Sequence, residues 1–362
     1  MQHAVPTVMA AVELIGHGGF EQLKYRDDVP TPAPAVDQVL IRVAAAGVNN
    51  TDINTRVGWY SKMVSASTDV GGADGFADVG DDGAWSEPLQ FPRIQGADCC
   101  GHVVAVGDGI EEARIGQRVL VRPMHEPAGA GPFECITFGS ELDGAFAQYA
   151  VVAAHHAYPI DCDWTDVELA SIPCAWSTAE GLLHRVDLGA ERVLITGASG
   201  GVGSAAVQLA KRRGAHVTAV AGASKANAVR DLGADAVVDR SASVSQAVGS
   251  ESVDVVIDLV AGPMFAELID VLRVGGRYAV SGAIGGPIVD LDVRDLYLKD
   301  LSFFGCTYQE PVVFQNLINY IERGEVRAAV AATFPLDQIV AAQQRFLAKD
   351  FVGKLVLVPP AD

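Results

Sequence analysis

Residues 192–222 read RVLITGASGGVGSAAVQLAKRRGAHVTAVAG. A short apolar run, Val193 to Thr196, ends in a glycine turn. A helix of small residues with an apolar stripe follows, then a second strand from His216 to Val220. This strand–turn–helix–strand order is the unit that holds the pyrophosphate of a dinucleotide. Gly200 lets the backbone approach phosphate, and Gly203 lets the helix lie close on the sheet. The first helical N–H groups and the positive end of the helix dipole then face the anion. Ala198 stands where the strict G-x-G-x-x-G pattern has its first glycine, so the flanking strand and helix carry the reading. The candidate contacts are Ala198, Ser199, Gly200, Gly201, Val202 and Gly203. The competing reading is a glycine-rich turn in an ordinary α/β domain.

The end of the second strand discriminates between cofactors. An NAD site places an acid there to accept from the ribose hydroxyls. Here the strand runs through Ala221 and Gly222 into Ala223, Ser224 and Lys225. No acid repels a 2′-phosphate, Ser224 can donate, and Lys225 supplies a cation, with Arg240 after the third strand in reach of the same pocket. These residues predict NADP(H). The competing reading of Lys225 and Arg240 is a solvated surface charge.

With 362 residues, 49% of them hydrophobic, the chain can bury two cores. No apolar run approaches the roughly 20 residues needed to cross a bilayer, and the N-terminus lacks a signal-peptide pattern. A net charge of −19 argues against nucleic acid or an anionic membrane as partner. The six cysteines are scattered without a C-x-x-C pair, which predicts a cytoplasmic chain without a disulfide framework.

The pattern changes character along the chain. Short apolar runs between turn residues up to about residue 157 (QVLIRVAAAGVN, GHVVAVG, RVLVRP, GAFAQYAVV) predict a β-rich, barrel-like domain. From 158 to 304, RVLIT, HVTAV, AVVD, VDVVIDLV, RYAVSG and LSFFG alternate with helical stretches, which predicts an α/β Rossmann domain with a doubly wound parallel sheet. Residues 305–362 read as two helices, a linker and a last strand, KLVLVP, that return to the first domain.

Several segments stand in the order found in one family: AGVNNTDINTRVGWY, GADCCGHVVAVG, IGQRVLV, GAFAQYAVV, STAEGLL, GASGGVG and VGKLVLV. The chain resembles the medium-chain dehydrogenase/reductases, and most closely their zinc-free quinone oxidoreductase branch. The resemblance covers nearly the whole length. It implies a GroES-like catalytic domain at 1–157, an inserted Rossmann domain, a cleft between them, and a homodimer.

The resemblance also frames the metal question. Zinc-dependent relatives place a cysteine ligand where this chain has Asn49 and a histidine where it has Ala97, while Asp98 matches the acid that follows. Only Cys174 stands at a matching ligand position, and a tetrahedral catalytic Zn²⁺ needs three protein ligands. No metal is expected, with an improvised site from Asp98, Cys99, Cys100 and His102, or near Asp98 and Cys174, left as the other possibility.

Oxyanion charge must then be held by hydrogen bonds. Asn49 matches an asparagine beside the nicotinamide, and Tyr60 matches a tyrosine that binds or protonates substrate. Thr178 falls in the segment against the nicotinamide face. Asn49, Tyr60 and Thr178 are the catalytic candidates; Asp52 and Arg56 read as an ion pair holding the loop. Asn54 replaces a tyrosine found in several relatives.

Residues 61–92 form a long insertion with Asp69, Asp74, Asp78, Asp81, Asp82 and Glu87, and with Phe76, Trp85 and Phe91 to bury. Following Tyr60 directly, it is expected to form a lid or wall of the substrate pocket. The leading expectation is zinc-independent hydride transfer from NADPH to a quinone or conjugated enone. An alcohol dehydrogenase or carbonyl reductase of the same family is the second, and a non-catalytic NADPH-binding protein the third.

Overall fold

The computed structural model describes residues 5–77, 79–80, 82–83, 85 and 88–361. Asp78, Asp81 and Glu87 of the insertion lie outside them.

The six strands expected between 192 and 305 form one parallel sheet. Its order is Ala236–Asp239, His216–Ala221, Arg192–Ile195, Val253–Asp258, Leu272–Val280, Ser302–Gly305. The first strand in sequence lies centrally and the chain winds outward from it on both sides. That is the doubly wound arrangement, whose ligand crevice opens at the carboxyl ends where the order reverses, between Arg192–Ile195 and Val253–Asp258. Val193, Leu194, Ile195, Val255, Val256 and Ile257 are fully buried, as strands covered by helices on both faces must be.

The β-rich part is built around the 11-residue strand Gln38–Val48. Cys100–Val106 and Tyr149–Ala153 pair with it antiparallel, and Arg118–Val121 and Ala157–Pro159 extend the sheet. A three-stranded sheet (Leu23–Pro30, Val8–Leu14, Arg93–Ile94) packs beside it. The final strand, Lys354–Val358, inserts next to Gln38–Val48 in antiparallel register, with Leu355 opposite Val48. This places Lys354, one residue before Leu355, against Asn49, one residue after Val48. The site depends on that register.

Two features of the tail go beyond the sequence reading. The stretch read as a linker contains a strand, Val330–Pro335, parallel to Lys354–Val358. The helix Pro311–Glu322 meets the β-rich part where Phe314 lies edge-on against Tyr158 with centroids 4.9 Å apart, and it also packs outside that part. Its Phe314, Leu317, Ile318 and Ile321 are buried with Leu182, Leu183 and Val186, so it packs on the helix Pro173–Arg185. That helix is further fixed by Glu180, whose fully buried carboxylate takes Arg213 at 2.6 Å and the Tyr320 hydroxyl at 3.3 Å. Among the described residues no helix is long and apolar enough to cross a membrane.

Candidate active site

The glycine turn has the geometry its sequence requires. Gly197 takes φ +59°, which a Cβ would strain, and a Cβ on Gly203 would strike the carbonyl oxygen of Gly197. At Gly200, the N-cap of helix Gly201–Arg212, an added Cβ would meet only Gly197 O at 3.5 Å. The turn is closed on the sheet side and open on the other, a cradle for an anion at a helix N-terminus. Ala198 is buried and donates its N–H to Val220 O, Ser199 O accepts from Gly353 N–H, and Val202 faces the neighbouring cavity.

Beyond the second strand, Ser224 is exposed, and the Lys225 ammonium donates to Lys349 O at 2.5 Å. Burial and then Arg240 push the Lys225 pKa down, so two cations share this corner. Arg240 Nε would lie 3.8 Å from a Cβ on Gly222. The corner is joined to the insertion, because the Lys349 ammonium also holds Asp69 at 2.5 Å.

A cavity of about 580 Å³ opens beside the turn, with Asn49, Thr51, Tyr60, Cys174, Thr178 and Trp85 among its walls. The three catalytic candidates therefore share one chamber, but their hydrogen bonds differ from expectation. Asn49 caps the helix Asn50–Val57, its N–H donating to Asp52 Oδ2 at 2.7 Å. Its side-chain amide is engaged on both ends. Nδ2 donates to Asp98 Oδ2 at 2.8 Å, and Oδ1 accepts from Lys354 Nζ at 2.5 Å. The Thr178 hydroxyl donates to Cys174 O at 2.8 Å and accepts from Gln309 Nε2 at 3.1 Å. Tyr60 donates its hydroxyl to Thr51 Oγ1 at 3.0 Å, and burial pushes its pKa up to about 12.

Asp52 and Arg56 do not pair with one another. Arg56, fully buried, donates to Gly18 O, Gly72 O and Gln343 and lies over the Phe20 ring. It thereby ties the insertion to the body. Asn54 does the same, accepting from Thr68 at 3.0 Å. Burial pushes the Asp52 carboxyl up to about 7. From the insertion, Trp85 reaches the cavity and lies parallel to Tyr60 with centroids 6.2 Å apart. Phe91 instead packs edge-on against His17, and Phe76 against Gly71.

The decisive residue was absent from the sequence candidates. Lys354 is 4% exposed and its ammonium lies 2.7 Å from Asp98 Oδ2, with Asp98 fully buried. Asp98 Oδ1 accepts from Cys174 N–H at 2.5 Å, at the start of helix Pro173–Arg185. A Cβ on Gly47 would strike Asp98 Oδ2, so glycine there is what lets the carboxylate approach. The signal was present in GKLVLVP as a single lysine opening an otherwise apolar strand. Thr51 and Arg185, which line the cavity, and Gln309, buried behind Thr178, were also missed, being polar residues that only the fold brings together.

Two family models match the chain, "Alcohol dehydrogenase GroES-like domain" over residues 35–162 and "Zinc-binding dehydrogenase" over 201–323. A solved structure from Sinorhizobium meliloti, provisionally called an alcohol dehydrogenase, is 45% identical with a TM-score of 0.90, covering 99% of this chain and 98% of that one. The chain belongs to the medium-chain dehydrogenase/reductase superfamily. Within it the chain falls in the quinone oxidoreductase-like branch. Quinone oxidoreductase of Rattus norvegicus is 28% identical over 367 residues, 97% of this chain and 98% of that protein. A 2-octenoyl-CoA carboxylase reductase solved with NADP and 2-octenoyl-CoA is 25% identical with a TM-score of 0.80, covering 98% and 88%.

The superfamily's zinc finds a poor donor set here. Of the three ligand positions only Cys174 carries a metal donor, and burial followed by the Asp98 charge drives its thiol pKa upward. The neighbouring carboxylate already holds an ammonium. Cys99 and Cys100 are fully buried with raised pKa values, and His102 faces a different depression beside Gln117 and Cys162. Among the described residues no three His, Cys, Asp or Glu side chains converge to hold a metal.

Proposed function

We propose that this oxidoreductase uses NADPH to reduce a conjugated C=C bond beside a carbonyl, or a quinone, without a catalytic zinc. One observation carries the reading. The Lys354 ammonium lies between Asn49 and Asp98, so the cation of this site is covalently part of the chain. A buried ammonium there repels a divalent ion and occupies the carboxylate oxygen that would otherwise bind it.

A reduced nicotinamide bound against the glycine turn supplies the hydride. The chain's part is to orient the acceptor and hold the charge that develops on its oxygen. Tyr60 gives its hydrogen to Thr51, which leaves the Thr51 hydroxyl hydrogen for a ligand in the cavity. With its pKa raised to about 12, Tyr60 stays protonated at neutral pH and serves as donor through Thr51. Asn49, held by Asp98 and Lys354, is a fixed wall for the nicotinamide pocket, and Thr178, bonded to Cys174 O and Gln309, is another. A conjugated acceptor spreads the arriving charge, which suits two neutral hydroxyls. A simple ketone or aldehyde localises it and calls for a stronger electrophile.

The cofactor preference rests on Lys225 and Arg240 beside the second strand, which itself ends in no acid; the carboxylates of this corner, Asp239 and Asp350, come from other segments. The relative solved with NADP and an enoyl thioester supports both halves of the proposal. A second reading, alcohol dehydrogenase, is favoured by the 45% identical Sinorhizobium structure. The insertion, tied down by Asn54 and Arg56 and placing Trp85 in the cavity, acts as a wall of the substrate pocket. Absorbance at the nicotinamide band, with NADPH or NADH against quinones, alkyl enones and aldehydes, tests the assignment. Fastest turnover is expected for NADPH with enones or quinones; preference for aldehydes overturns the acceptor, and preference for NADH the cofactor.

A further inference from the structure

The cavity wall carries one cation that has no acid partner among the described residues. Arg185, in the last turn of helix Pro173–Arg185, lines the chamber that holds Tyr60 and Thr51. Among the described residues it makes no ion pair. Its guanidinium instead lies over the Phe133 ring, 5.0 Å from the centroid. Two carboxylates beside the aromatic residues of this wall are otherwise engaged. Glu126 takes Arg122 at 2.7 and 2.8 Å and Tyr308 at 3.0 Å, and Glu134 takes the Gly131 N–H at 2.8 Å. In a chain of net charge −19, an unpaired guanidinium at a pocket mouth is unusual.

Phe133 adds a second, independent observation. It is 62% exposed and holds φ +69°, a conformation that strains a non-glycine residue. Such an aromatic ring is not kept there for the core. It packs edge-on against Tyr308, which also lines the cavity, and its contact with the Arg185 guanidinium leaves the N–H donors of that group free of an acid among the described residues. The Arg185 charge is felt inside the chamber, where it lowers the pKa of the Cys306 thiol against the larger upward effect of burial. Trp59, Tyr60, Trp85, Phe133 and Tyr308 together give the chamber flat aromatic walls.

We infer that the acceptor carries an anionic group, a carboxylate or phosphate, that Arg185 grips at the cavity mouth while the aromatic walls hold its planar, conjugated body. The inference rests on the proposed enone or quinone reductase and names its substrate class. Arg185 is a specificity residue, the only cation on this cavity wall among the described residues, and it takes no part in the hydride or proton steps.

The test pairs 4-(4-carboxyphenyl)but-3-en-2-one with its methyl ester, and crotonyl-CoA with the crotonyl thioester of N-acetylcysteamine. The first pair reads a carboxylate on the acceptor itself, and the second reads phosphates on a carrier. Wild type is expected to favour the charged member of one pair. Arg185→Gln should raise its KM about 10- to 100-fold, leave kcat and the uncharged partner within about threefold, and Arg185→Lys should recover part of the loss. Equal KM values for charged and uncharged members in wild type, or equal effects of Arg185→Gln on both, overturn the inference. Titration calorimetry of the NADP⁺-saturated protein with 4-(4-carboxyphenyl)butan-2-one, CoA, and the methyl ester of the former separates the two claims. Arg185-dependent binding of an anion without turnover of any acceptor overturns the proposed reaction and leaves the anion site standing. No Arg185-dependent binding overturns the anion site.

Discussion

The Nζ of Lys354 lies 2.7 Å from Oδ2 of Asp98, and both side chains are sealed from solvent. The two residues are 256 positions apart, and the antiparallel register of the final strand with Gln38–Val48 brings them together. A buried ion pair is costly to half-remove, because the remaining charge has neither water nor partner. Lys354→Met should therefore destabilise the fold by about 3–5 kcal/mol. The double variant Lys354→Met with Asp98→Asn should be less destabilised than the sum of the single changes. Urea titrations measure both; additive losses would show that the pair is not coupled.

Tyr60→Phe removes only the hydroxyl that donates to Thr51. A drop in kcat of about 10²-fold is expected with stability changed by less than about 1 kcal/mol. Thr51→Ala should produce a similar loss, and the double variant little more, because the two hydroxyls act as one unit. Steady-state kinetics with a conjugated enone decide this, and independent, multiplying effects would break the pair.

Asp52 gives a pH signature. Its carboxyl is pushed up to about 7 in the folded chain from an ordinary value near 3.8, chiefly by burial. Between those values the folded protein binds more protons than the unfolded one, so stability falls as pH rises through this window. Relative to Asp52→Asn, wild type should lose stability from about pH 4 to about pH 7 and then run parallel. Denaturant midpoints across that range give the difference, and a flat difference contradicts it.

The cofactor corner yields a fourth expectation. Lys225→Ala or Arg240→Ala should raise the KM for NADPH about 10- to 100-fold and leave that for NADH within about threefold, since only the former carries a 2′-phosphate. Equal effects on the two cofactors would place these cations outside the phosphate pocket.

The cofactor-binding half was legible because its determinants are local. Val193 to Ile195 and Val255 to Ile257 are apolar runs that only a doubly covered strand can bury, and Gly203 is forced by contact with the carbonyl of Gly197. Local signals failed where distant segments meet. Ala-rich Val330–Pro335 has weak strand character alone and becomes a strand by lying beside Lys354–Val358. Asn49 and Thr178 were found as residues of the cavity, but not that Lys354 and Gln309 would engage their polar atoms. Periodicity cannot announce such partners, because each pairing is made by tertiary register. Trp85 was recognised as a residue to bury, while its place beside Tyr60 depends on the Asn54–Thr68 and Arg56–Gly72 bonds that anchor the insertion.

With the Lys354 ammonium fixed between Asn49 and Asp98, hydride transfer to a conjugated acceptor is expected to proceed without zinc. The direct measurement is NADPH oxidation with an alkyl enone by protein dialysed exhaustively against a strong chelator, with metal content determined on the same sample. Undiminished turnover at far less than one zinc per chain is expected. Activity that vanishes on chelation and returns with added Zn²⁺ would contradict it.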